Sequence, residues 1–368
     1  MAVYLVLAAV TIAIAHLVDS KVVKKENSFF DAPEYTRGQI KNKIVYILLF
    51  FLLFAVSATR IAVGNDYWSY KAIFELLAQN RDRSVATELG FNFLSKAVYL
   101  VFGHEEKPYI IIFAIVAFIT IFFFIKGMDE LSDDFALSFA MFMLLGYYAS
   151  SFNSIRSYLA FSVAFYSVRY IFKREFWKFA LFVLFASTFH ISILLVLLAY
   201  PLGLIKWKPW SIAIATVLSA SFLAFPNLYR RLVFLIYPQY ENTAFDTGEI
   251  SYTNIARCIA VLVIAIILYK KAIKESERNR FYFNMNIFAS IVYLCCSFLP
   301  VVSRIGYYFN VFQIVLVPAL INAIPKKWVR ILLRVLIIVF GFAYYIYFLH
   351  SSIDNGTRLL PYFNWIIN

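Results

Sequence analysis

Three arginines, a histidine and two acids stand where an apolar chain would be expected to avoid them. Arg60 closes the apolar run Ile44 to Val56 and opens RIAVGNDYWSY; Arg156 lies in SFNSIRSYLAFS, Arg304 in SRIGYYFN and His190 in STFHISILL. Asp66 and Glu88 fall in the loop that Arg60 begins. A charge in or beside a membrane span is costly unless paired or used, so these six residues are the first candidates for function. Guanidinium groups take phosphate oxygens through paired hydrogen bonds. Arg60, Arg156 and Arg304 therefore suit a ligand that carries phosphate. Glu88, His190 and Asp66 add groups that can take or give a proton. Gly64, Tyr67, Tyr70, Asn153, Tyr307 and Tyr308 complete the set as substrate-binding residues, since ring faces stack on sugars.

Each residue also has a plainer reading. An arginine at a helix end snorkels to headgroups, a lone histidine packs, Glu88 caps its helix, Gly64 supplies a turn, and the tyrosines form an interfacial belt. The combination favours a lipid-linked sugar phosphate. No GxxxxGK[ST] pattern occurs, so bond energy must come from the substrate or from a gradient. Cys258, Cys295 and Cys296 all lie in apolar runs without metal-ligand spacing, and neither a metal nor another cofactor is expected.

The elements that must position these groups are membrane helices. The chain is 62% hydrophobic and only 15% charged, and its mean hydropathy is +0.76, which marks an all-α polytopic membrane protein. Spans are readable at 2–18, 43–59, 109–125, 135–151, 155–172, 254–269, 282–300, 305–323 and 330–349. The first is expected to be a retained helix, not a cleaved signal. The net charge of +13 points to topology and not to nucleic acid, because Lys and Arg cluster in alternate loops: KVVKKE, KREFWK, KWK, KKAIKESERNR and PKKWVR. The positive-inside rule places these in the cytoplasm. Reading 176–205 as a short-helix hairpin, with a further span at 210–225, keeps every cluster on one side. About twelve transmembrane helices (eleven to thirteen) then result, with both termini outside. Residues 1–368 read as one transmembrane domain, whose outer loops 60–108 and 226–253 roof the site. Within the first loop, YWSYKAIFELL and ELGFNFLSKAVYLVF carry apolar residues at helical spacing and read as amphipathic interfacial helices.

In order along the chain, RIAVGNDYWSY, ELGFNFL, SFNSIRSYLAFSVAFYSVRYI, FWKFALFVLFASTFHISILL, SRIGYYFNVFQIVLVPALI and LLPYFNW resemble the EpsG family of bacterial exopolysaccharide polymerases, related to the Wzy-type polymerases. The likeness runs from about Lys43 to Trp365, and Ser157 follows Arg156 where the family more often has glutamine. The resemblance implies a polyprenyl-diphosphate-dependent glycosyltransferase in the bacterial cytoplasmic membrane, its active site facing outward. Such an enzyme moves a growing glycan from undecaprenyl diphosphate to the sugar of the next lipid-linked repeat unit. The implied partners are the undecaprenyl-diphosphate-linked oligosaccharide as donor and acceptor, membrane lipids and a chain-length regulator. The family's polar groups fall on Arg60, Asp66, Glu88, Arg156, His190 and Arg304. For the implied transfer, Arg156 and Arg304, with Arg60 third, are expected to offset the charge on the departing diphosphate, and Glu88, His190 and Asp66, in that order, are the candidate catalytic bases for the acceptor hydroxyl. Two other classes share many spans and intramembrane polar groups: a membrane O-acyltransferase acting on polysaccharide, and a flippase or transporter of lipid-linked sugars.

Overall fold

The computed structural model describes residues 1–20, 35–81, 84–236, 241, 250–299, 302–353 and 358–366; of residues 236 and 302–304 only the backbone is described. The protein is an all-α membrane protein with several spans, and the one sheet among the described residues is a two-stranded ribbon. The chain divides into two compact units, Met1–Leu194 with Lys326–Asn368, and Leu195–Pro325.

The first unit begins with α1 (Ala2–Ala15) and α2 (Arg37–Thr59). Thr36 starts α2 with a capping box: its hydroxyl accepts from Gln39 N–H while the Gln39 side chain accepts from Thr36 N–H. The helix stops where Arg60 turns extended and enters β1 (Arg60–Ile61). Then come α3 (Tyr67–Ala78), α4 (Leu89–Phe102) and the long α5 (Tyr109–Leu131). The two segments read as amphipathic do form helices; α3 buries Tyr67, Tyr70, Phe74 and Leu77, and α4 buries Phe91, Ser95 and Val98.

Beyond α5 the expected spans are broken. The run 135–151 divides into α6 (Phe135–Leu144) and α7 (Tyr147–Ser150), because Gly146 takes φ +81°, a left-handed conformation that ends a helix. The run 155–172 divides into α8 (Ile155–Ser167) and α9 (Arg169–Phe172), and 176–205 begins with α10 (Phe176–Ser187) followed by a 3₁₀ segment, Ile191–Leu198.

The second unit holds α11 (Ala199–Gly203), α12 (Pro209–Ala224), α13 (Pro226–Ile236), α14 (Tyr252–Ile267), α15 (Glu277–Cys295), α16 (Val302–Asn310) and α17 (Gln313–Asn322). Buried amides tie its helices together: Gln313 Nε2 donates to Asn286 Oδ1 at 2.7 Å, and Asn286 Nδ2 donates to the Cys258 carbonyl at 3.0 Å. The first unit is completed by α18 (Lys327–Ser351) and β2 (Phe363–Asn364).

Among the described residues, four helices are long and apolar enough to cross a membrane: α2, α5, Ile305–Asn322 and α18. The pair Pro209–Ala224 and Pro226–Leu235, bent by 88°, counts as a fifth if it is one span. Six shorter apolar helices of 10–17 residues accompany them. These show a multi-pass protein; they do not by themselves give twelve crossings.

Helix α5 is the axis of the first unit. It packs on α8 along one side and α2 along another. Gly127 lets α8 close in, since a Cβ there would meet the Phe165 ring at 2.6 Å. Ionic groups gather at its C-terminal end, where Arg169 pairs with Glu130 at 3.1 Å, Lys126 with Asp129 at 3.6 Å, and Arg334 with Asp134 at 2.7 Å. Arg60 stacks on Phe113 near the opposite end. Phe113 and Glu130 are roughly 26 Å apart at 1.5 Å per residue, close to the thickness of a bilayer's hydrocarbon core.

Candidate active site

The loop from Arg60 to Asp66 is held by its neighbours, not by its own hydrogen bonds. The ribbon pairs Arg60 with Asn364 and Ile61 with Phe363 in antiparallel register. The C-terminal segment adds further ties: Tyr362 donates to the Val56 carbonyl at 2.8 Å, Asn364 Nδ2 to Thr59 Oγ1 at 2.8 Å, and Gly64 N–H to the Arg358 carbonyl at 2.9 Å. Gly64 has φ +96°, and a Cβ there would run into the Phe152 carbonyl, so this close turn requires glycine. Opposite it, Asn153 Oδ1 accepts from Asp66 N–H at 3.3 Å. Tyr70 N–H then donates to the Asp66 carbonyl at 2.9 Å, which opens α3.

Arg60 lies beneath this loop and is 2% exposed. Its guanidinium sits between the rings of Phe152, at 4.7 Å, and Phe113, at 5.1 Å, and donates to Ser57. Burial pushes its pKa down to about 10, while the surrounding hydroxyls of Tyr4, Tyr148, Tyr67 and Tyr362 pull the other way. Arg60 is thus a cation enclosed by aromatic groups.

Glu88 is the hinge of the second half. It stands at the N-cap of α4, yet its side chain makes no capping hydrogen bond. Oε2 instead accepts from Arg156 Nη1, and Oε1 accepts from Ile191 N–H at 3.1 Å while His190 Nδ1 stands 3.4 Å away. Three chain segments therefore meet on one carboxylate. What allows it is Gly90: its N–H donates to the Thr188 carbonyl at 2.8 Å, and a Cβ there would stand only 2.9 Å from that oxygen. Burial works to raise the Glu88 pKa, but it is outweighed by His190, the Arg156 charge and the Ile191 N–H, which together hold the carboxyl below its ordinary range.

Arg156 also lies over the rings of Tyr70 and Phe91, each at 5.7 Å. Its Nε is buried without a hydrogen-bond partner, and so is Nε2 of His190. Their side chains are 17% and 11% exposed, and that of Glu88 19%. A part-buried ion pair beside an imidazole with an unsatisfied nitrogen is an arrangement that can serve a ligand.

Glu88, Arg156, His190 and Tyr70 are thus in contact. Asp66 joins through Tyr70, whose hydroxyl feels both the Asp66 and the Arg156 charge. Gly64 and Asn153 shape the loop, and Tyr67 stacks on Phe113 at 4.5 Å. In the second unit, Tyr307 and Tyr308 lie on α16, part-buried and buried respectively. The Arg304 side chain falls outside the described residues, as does most of the expected outer loop 226–253 beyond α13.

The family model described as EpsG family matches residues 43–364. The chain belongs to the EpsG family. No curated protein and no solved structure matches it. In this EpsG-family chain the site also uses residues that sequence reasoning left out: Gly90, Phe91, Thr188 and the Ile191 N–H. Gly90 and Phe91 sit in ELGFNFL and Thr188 and Ile191 in STFHISILL, so the segments were visible while the residues' purpose was not. Members of EpsG are suited to lipid-linked sugars within a membrane, and LLPYFNW acts here as the clamp on the Arg60 loop.

Proposed function

We propose that the chain is a polysaccharide polymerase that transfers a growing glycan from undecaprenyl diphosphate to a sugar hydroxyl of an incoming lipid-linked repeat unit. The observation that carries this reading is Glu88 held between Arg156 and His190, in a chain of the EpsG family. Both Glu88 oxygens are engaged and its pKa is depressed, so it is a weak base. His190 is better suited. With Nδ1 toward Glu88, its buried Nε2 accepts the proton of the acceptor hydroxyl, and Glu88 stabilises the imidazolium that forms. The hydroxyl oxygen bonds to the anomeric carbon as the bond from that carbon to the diphosphate oxygen breaks, its electron pair leaving with the diphosphate. Arg156, through its unpartnered Nε–H, offsets the charge on that leaving group; the family resemblance assigns Arg304 to the same task. The proton on His190 then passes to solvent or to the released diphosphate. Arg60, sealed among rings, supports the loop from below.

The twelve-span topology, with both termini outside and the site facing outward from the cytoplasmic membrane, belongs to the same proposal. Its support is the C-terminal end of α5, where Lys126, Arg169, Lys173 and Arg174 gather among acids away from the Glu88 cluster, since the positive-inside rule counts Lys and Arg and not net charge. The test is reconstitution with lipid-linked repeat units. Wild-type protein forms polymer on a gel, while Arg156→Ala and Arg304→Ala insert normally and form none. Polymer of normal length from both variants would remove the assigned roles, and no polymer from the wild type would remove the reading.

A further inference from the structure

One turn along α3 from Tyr70, on the adjoining face of the helix, the first unit opens a cleft of about 380 Å³. Phe74, Ala78 and Tyr109 line it together with Tyr99, and its polar groups are Lys71, Glu75, Gln79, Glu106 and Lys107. We infer that this cleft is a glycan subsite, binding an uncharged sugar unit of the chain that the Glu88 cluster extends; the inference rests on the polymerase reading above.

Charge balance decides the ligand class. The two ammonium groups and two carboxylates pair locally, Lys71 with Glu75 at 3.5 Å and Lys107 with Glu106 at 3.6 Å. A cleft with no charge excess has no preference for phosphate, yet it presents donors and acceptors side by side, as hydroxyl groups require. Gln79 adds an amide that offers both. Aromatic surface supplies the rest. Tyr99 is 42% exposed on one wall, and the cleft residue Lys71 lies with Nζ 5.6 Å from the ring of Trp68, itself 51% exposed, and 5.4 Å from the Tyr109 ring. Such amphipathic rings present an apolar face to sugar C–H groups while the neighbouring polar groups take the hydroxyls.

Position supports the same ligand. Tyr70 touches Arg156 on the inner side of α3, and Lys71, the next residue, lines the cleft. Residues four apart on a helix lie roughly 6 Å along the axis, so Tyr70 and Phe74 set the cluster and the cleft about one turn apart. Glu88 stands at the N-cap of α4 and Tyr99 lies eleven residues along it, roughly 16 Å at 1.5 Å per residue, so a glycan whose reacting end lies at Glu88 would meet Tyr99 with a sugar a few units back along the chain.

The test uses full-length protein in nanodiscs, with lipid-free oligosaccharide fragments of the host's own extracellular polysaccharide as probe. Binding is read by tryptophan fluorescence and polymer length by gel. Wild-type protein binds the fragments, and Tyr99→Ala and Gln79→Ala each weaken binding about tenfold or more and shorten the polymer. Gln79 is exposed, so its variant removes a contact without disturbing the core. Arg156→Ala retains fragment binding while losing polymer, which separates the cleft from the transfer site. Unchanged binding and unchanged polymer length in both cleft variants overturn the inference and leave the polymerase reading intact. Displacement of the fragments by pyrophosphate also overturns it, since the cleft would then be a phosphate site. A wild type that binds fragments but makes no polymer supports the glycan subsite while removing the polymerase reading.

Discussion

At Glu88 two oxygens hold two other segments of chain, and that arrangement has measurable consequences. Removing its charge leaves the Arg156 guanidinium without a counter-ion in a mostly enclosed place. Glu88→Gln is expected to lower stability by about 1.5–3 kcal/mol, the range for hydrogen bonds to charged groups, measured as the shift in detergent thermal melts. The pH dependence follows from the depressed pKa. A carboxyl whose folded pKa lies below its unfolded value contributes stability that is fully present above the ordinary carboxylate range, and that is lost as pH falls through the folded value. Wild-type melting temperature should therefore drop as pH falls from about 5 toward 3, and Glu88→Gln should show a shallower decline; equal slopes would contradict the assignment. His190→Asn keeps a polar group near Glu88 but removes the basic nitrogen. It should slow polymer formation about 10²–10⁴-fold with little change in melting temperature.

Elements bring these residues together through two glycine contacts. Gly64 lets the loop before α3 press on the Phe152 and Asn153 backbone, and Gly90 lets the start of α4 touch the end of α10. Gly90 is the sharper test, because its backbone is not strained and its effect is purely one of distance. Gly90→Ala must move α4 away from the Thr188 carbonyl and so draw Glu88 from the Ile191 N–H. Polymer formation should fall at least tenfold while helicity by circular dichroism is unchanged. A fully active Gly90→Ala would mean that the Glu88 to Ile191 contact is dispensable. The same contact explains a difference in reading: a carboxylate at an N-cap ordinarily serves its own helix, but here it is captured by groups from two others.

On the scale of the whole molecule, the two units are stabilised in different ways. The first is filled largely by aromatic and aliphatic packing around α5, whereas the second carries an internal amide network through Cys258, Asn286 and Gln313, all fully buried. Such hydrogen bonds between membrane helices contribute modestly, because the unfolded chain also finds partners for its amides. Asn286→Leu should cost roughly 1–2 kcal/mol, read as reduced thermal stability of the purified protein. An unchanged melt would show that Gln313 finds another partner.

Apolar runs alone were enough to mark α2, α5 and α18, because a membrane helix needs only length and hydropathy to be recognised. The same local information singled out Arg60, Glu88, Arg156 and His190, since charge in an apolar setting is rare whatever surrounds it. It did not show that Gly146 would cut one apolar run, because hydropathy is blind to φ. Nor did it show that Arg60 would be sealed among rings while Arg156 would meet Glu88. Glu88 is 68 residues from Arg156 and 103 from Ile191, and no periodicity within a helix relates positions so far apart. Composition determined the solvent, the helices and the list of costly residues; which of those residues share a partner was decided only when α3, α4, α8 and α10 packed with α5, since pairing over such separations depends on how closely the backbones approach, as at Gly64 and Gly90.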